Sequence, residues 1–241
     1  MLAVFVRRLA LAYLLPSGVL LHQIAVRQSE DLPPSFAVTG TVTLAGAEAR
    51  QSAAELGLEV KDPLAIAARL ELVPGRCSLE LQGPRPVTVV DERGQVTATT
   101  LPWTAQLTRL ACLPFLFRGE QGGDALEATL RKAGASFEET ALSLEAGEVS
   151  YILGAGETGT GSTGLVVRKR DLMPLRAWEQ EGGARVEVAF GGYREVFHQG
   201  GFPTFLELRA NGAPIARFTS SPPSEMVVST CTIVSAAWPS P

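Results

Sequence analysis

From residue 35 onward the apolar residues of this chain recur at every second position. Phe36, Val38, Gly40, Val42 and Leu44 alternate with Ala37, Thr39, Thr41 and Thr43. A period of two is the side-chain period of a strand with one face buried and one face wet. The pattern returns in Ile66, Ala68, Leu70 and Leu72, and, after a Pro74-Gly75 turn, in Cys77, Leu79 and Leu81, which together read as an antiparallel hairpin. Residues 87–90 and 95–99 follow around Asp91-Glu92-Arg93-Gly94. From residue 141 further strands are punctuated by Pro174, Gly182-Gly183, Gly191-Gly192, Gly200-Gly201 and Asn211-Gly212. Turn signals at this spacing constrain the chain to an antiparallel meander of about ten strands.

Helical periodicity is confined to three places. A helix is expected from Ser17, as N-cap, to near Asp31, before Pro33-Pro34, with His22 on its surface. Residues 101–118 place Trp103, Leu107, Leu110 and Ala111 on one side, with Pro114 bending or ending the helix. A third helix runs from Asp124, a good N-cap, to Lys132, and carries the apolar pair Leu126 and Leu130. Residues 46–57 read as a loop. The expected fold is therefore α+β: one large curved antiparallel sheet, an open half-barrel, covered by an N-terminal helix and an inserted helical lid.

Residues 1–16 read as an export leader, with Arg7 and Arg8 ahead of a short apolar run; the alternative is a buried N-terminal helix. A membrane span needs about 20 apolar residues, more than this segment supplies. Residues 17–223 are expected to form one domain, and residues 224–241 a tail rich in Ser, Thr and Pro. The formal charge of −4 excludes a strongly basic nucleic-acid binder. Three cysteines without CxxC spacing and only two histidines argue against a zinc site, and Cys77 with Cys231 is the disulfide considered.

Motifs that imitate catalysis lack their context. Residues 154–159 satisfy GxGxxG, and residues 156–163 resemble a P-loop with Ser162 in the place of the lysine. Phosphate binding needs a helix N-terminus directly afterwards, and a strand that meets Pro174 follows instead, so a Gly/Thr hairpin loop is the expectation. No GxSxG elbow is present, and His198 would be the one credible base for a hydrolytic triad. Arg168-Lys169-Arg170 reads as a solvated strand edge. Neither an enzyme nor a cofactor is expected.

The chain is 46% hydrophobic and only 19% charged, and three helices are little cover for so wide a sheet. That imbalance points to a concave apolar face able to hold an acyl chain, or else filled by its own side chains. Alternation puts Phe36, Val38, Leu70, Leu72, Leu79 and Leu81 on that face.

The order of elements resembles the periplasmic lipoprotein-carrier superfamily, the LolA-like and LolB-like half-barrels. The resemblance is carried by the first helix, the strand FAVTGTV at residues 36–42, the hairpin LVPGR at 72–76, the turn DERG at 91–94 and the helices after Leu101. Residues 172–176, LMPLR, and 218–223, FTSSPP, complete it. It implies a non-enzymatic carrier for lipid acyl chains or an acylated lipoprotein, in the periplasm or at the outer-membrane periphery. Trp103 and Leu107 would belong to the lid, and Arg69 or Arg76 would gate it. The other class considered is a structural or assembly partner of an envelope complex, with its cavity self-filled. No lipobox cysteine stands near the start; Leu110-Ala111-Cys112 imitates one deep in the chain.

Overall fold

A computed structural model of the chain describes residues 14–138, 140–145, 147–154, 161–196 and 200–221. The first helix, α1 (Ser17–Asp31), leads into β1 (Phe36–Leu44), α2 (Gly46–Leu56), β2 (Leu64–Val73), β3 (Arg76–Leu81), β4 (Val87–Glu92) and β5 (Gln95–Val96). Two helices follow, α3 (Pro102–Leu116) and α4 (Gly122–Lys132). The meander then resumes with β6 (Ala141–Glu145), β7 (Glu148–Leu153), β8 (Thr163–Arg168), β9 (Pro174–Glu181) and β10 (Ala184–Gly191). β11 (Arg194–Val196) and β12 (Gly200–Phe202) precede β13 (Phe205–Ala210) and β14 (Ala213–Ser220).

Twelve strands form one sheet in the order β5-β4-β3-β2-β1-β14-β13-β10-β9-β8-β7-β6, and every neighbour is antiparallel. The first and last strands meet at its centre, with Gly40 opposite Ser220 and Leu44 opposite Ala216. β5 and β6 are its two edges, so the sheet stays open. β11 and β12 form a separate two-stranded ribbon, so the strand expected over residues 193–199 leaves the main sheet. The expected half-barrel is thus present, with a wider sheet than about ten strands.

The registers bring the alternating apolar residues onto one inner face. Phe36 lies opposite Leu72, Val38 opposite Leu70, and Leu70 in turn opposite Leu79. Glycines in two strands make room for aromatic rings: a Cβ at Gly164 would stand 2.4 Å from Trp178, and one at Gly40 2.8 Å from Phe218.

α3 packs on the inner face. It is apolar nearly all round, with residues from Leu110 to Leu116 all buried, as a helix inside a core must be. α1 buries Leu20, Leu21, Ile24 and Ala25 and lies close against α4. At their contact a Cβ on Gly123 would stand 2.6 Å from the His22 backbone, so only glycine fits.

Three local expectations are corrected. Pro16, not Ser17, holds the N-cap position of α1, and the Ser17 hydroxyl instead meets the Thr140 hydroxyl at 2.8 Å. Asp124 is the third residue of α4, where its charge suits the helix dipole, and Gln121 precedes the helix. Residues 46–56 form α2, not a loop. Its buried face is Ala49, Ser52, Ala53 and Leu56, and Gly57 ends it with φ 70°. The leader residues 1–13, the tail from residue 222, His198 and Cys231 lie outside the described residues.

Candidate functional site

The eight residues expected to line the concave site come together. Phe36, Val38, Leu70, Leu72, Leu79 and Leu81 project from β1, β2 and β3, and Trp103 and Leu107 descend on them from α3. All are at most 4% exposed and belong to one apolar cluster. The Trp103 indole N–H donates to Ser52 Oγ at 3.1 Å, which ties α3 to α2. The inner face is therefore occupied by α3.

A covalent bond fastens that helix. Cys77, on the inner face of β3, is disulfide-bonded to Cys112 in the middle of α3, so the pairing of Cys77 with Cys231 is corrected. Both partners are fully buried where the strand faces the helix, which is why these two meet. Cys112 is accordingly a core residue and no lipidation site.

A largely apolar cavity of about 390 Å³ opens at one end of the helical cover. Leu32 and Pro34 after α1, Pro74 and Gly75 of the β2–β3 turn, and Leu116 and Phe117 form much of its wall. Arg118 also lines it. Its Nε donates to the Phe115 carbonyl at 2.8 Å, its Nη1 donates to the Pro33 carbonyl at 2.6 Å, and the guanidinium lies 5.4 Å from the Phe36 ring centroid. Nη2 is buried without a hydrogen-bond partner. Burial alone lowers the Arg118 pKa to about 10.

A second, smaller cavity of about 200 Å³ is lined by charged and apolar side chains together, and lies between α3, α4 and the strands β4, β8 and β9. Asp91, 1% exposed, lines it with Arg109 and Glu179. Asp91 Oδ1 accepts the Gly94 N–H at 2.7 Å, whereas Oδ2 has no partner. Arg109 donates to Glu179 and lies 3.6 Å from Glu181, so α3 is also ion-paired to β9. Burial raises both the Asp91 and the Glu179 carboxyls, with Arg109 pulling each the other way. None of the eight inner-face residues lines either cavity.

A LolA superfamily protein of Nitrosomonas europaea superposes on 88% of this chain and 93% of its own, with a TM-score of 0.51 at 11% identity. The fold is LolA-like. An outer membrane lipoprotein-sorting protein domain of Vibrio parahaemolyticus matches 85% of this chain and 90% of its own, at TM-score 0.48 and 12% identity. No protein-family model and no curated protein matches the sequence.

Within this LolA-like fold, neither arginine proposed for the lid faces it. Arg69 alternates with the inward Ala68 and Leu70, and its Nη2 lies 3.4 Å from Glu71. Arg76 is exposed at the hairpin turn. Arg118 was missed because it stands outside any alternating strand; its one signal is a cation directly after the apolar run Pro114-Phe115-Leu116-Phe117.

At the other end of the LolA-like sheet the inner face emerges into water. Leu142 pairs with Tyr151 and Leu144 with Val149, and Leu142, Leu144 and Val149 are exposed. The basic cluster nearby is paired: Arg168 meets Glu148 and Asp171 at 3.1 and 2.9 Å, and Arg170 meets Glu148 at 3.2 Å. Most of the Gly-rich loop, residues 155–160, lies outside the described residues. Among the described residues no His, Cys, Asp and Glu group is placed to hold a metal, and no helix is long and apolar enough to cross a membrane.

Proposed function

We propose that the protein is a non-enzymatic carrier or binding protein for acyl chains, either of free lipid or of an acylated lipoprotein, in the bacterial cell envelope. The observation that carries this reading is the apolar cavity of about 390 Å³ at the end of the helical cover, continuous in chemistry with the inner face beneath α3. Its volume falls in the range of about 300–1,000 Å³ usual for small-molecule sites. Each methylene moved there from water contributes roughly 0.8 kcal/mol. Phe36, Val38, Leu70, Leu72, Leu79, Leu81, Trp103 and Leu107 are the contacts proposed for a chain that passes beneath α3. A disulfide between core residues suits an oxidising compartment such as the periplasm, with residues 1–16 as the export leader and residues 17–223 as the carrier.

The test is native extraction followed by lipid mass spectrometry, with uptake of a fluorescent fatty acid by the delipidated protein. Bound lipid and saturable uptake are expected; a protein that carries no lipid and takes none up overturns the reading. A second reading, an envelope assembly partner, is favoured by the completeness with which the eight inner-face residues already bury one another. It predicts a protein partner at fixed stoichiometry and no lipid.

A further inference from the structure

We propose that Arg118 is an anion anchor: the cavity at the end of α3 takes an amphiphile head first, its carboxylate or phosphate bound by the guanidinium and its chain against the apolar wall. The inference rests on the acyl-chain reading and adds to it the charge of the ligand's head.

The surroundings of Arg118 are short by one anion. Among the described residues no carboxylate pairs with it, although fifteen other ion pairs join arginines and lysines of this chain to Asp and Glu. Two of its nitrogens are spent on the Phe115 and Pro33 carbonyls, which hold the guanidinium plane in place. The third, Nη2, is buried and idle. Arg118 is half-buried as a residue, and a guanidinium that hides one unpaired nitrogen is costly and is normally offset by a counter-charge. Here the wall offers none: Leu32, Pro34, Pro74, Leu116 and Phe117 are apolar, and the polar Ser29 and Gln121 carry no charge. A charged head with an apolar tail satisfies both parts of such a site, because the oxyanion completes the guanidinium and the chain covers the wall. Arg118 also lies against Phe36, whose ring packs on Phe202 at 5.5 Å, so the head would sit at the threshold of the inner face.

The experiment compares cis-parinaric acid with its methyl ester, binding to the delipidated full chain, with inorganic phosphate as competitor. The acid is expected to bind about tenfold tighter or more, as hydrogen bonds to a charged group allow. Arg118→Gln should bring the acid down to the ester, leaving the ester unchanged, while Arg118→Lys keeps part of the preference. The wild-type contrast needs no variant, so a misfolded Arg118→Gln does not rescue the idea. Equal binding of acid and ester overturns the anchor and leaves the acyl-chain reading standing. Binding of neither overturns both. Inorganic phosphate is expected to compete with the acid and not with the ester; protection of the protein by phosphate with no binding of the acid would assign Arg118 to a free anion and overturn the amphiphile.

Discussion

Asp91 carries the cost of its position in the open. It sits on the inner face opposite Cys77, with one oxygen held by Gly94 and the other unpaired. Burial raises its pKa above 3.8, against the pull of the Gly94 and Gln95 N–H groups and of Arg109, so the native protein holds this proton more firmly than the unfolded chain. Stability from this group therefore falls as pH rises from the unfolded value through the native one. Asp91→Asn keeps an acceptor for Gly94 and removes the charge; we expect its Tm to exceed that of the wild type by about 2–4 °C at pH 8, and the gain to vanish near pH 3, where both forms are neutral. A Tm below wild type at pH 8 would mean that the Arg109 attraction outweighs burial. The inner-face residues themselves were legible, because each alternates with a polar neighbour along a strand. Asp91 and Arg118 were not: their roles depend on which helix closes over them, and no local period records that.

Among the elements, α3 decides how the inner face is used. Its Trp103, Arg109 and Cys112 hold α2, β9 and β3 respectively. The disulfide joins residues 35 apart in sequence, and closing a loop of that size stabilises the fold by about 3–4 kcal/mol in the chain-entropy model. The Cys77→Ala/Cys112→Ala double variant should lose an amount of this order in urea unfolding, and amide exchange in α3 should quicken more than in β1 or β2. Unchanged exchange in α3 would show that packing alone holds the lid. This helix was readable from Trp103, Leu107, Leu110 and Ala111. By contrast α2 was hidden, since Ala49, Ser52 and Ala53 form a buried stripe too small to look apolar, and its only large member is Leu56. The disulfide partner was illegible for the same reason as Asp91: Cys77 and Cys112 meet only once α3 lies on β3.

At the scale of the whole molecule the twelve strands divide into two wings, β5 to β1 and β14 to β6, joined along the β1–β14 ladder. The half-barrel class was legible from the turn spacing, but this seam was not, because alternation says which face a residue takes and nothing about a partner far along the chain. Removing β14 and all that follows it should leave no folded sheet by circular dichroism, since it bares the inner edge of both wings; a native spectrum would show that each wing folds without the other. The seam has a temporal consequence as well. A chain emerging from the ribosome holds β1 long before β14 exists, so the central pair of the sheet can form only when synthesis of the domain is nearly over. Such late, long-range closure makes for slow folding, because each wing lacks the neighbour that closes its inner edge until β14 has been made.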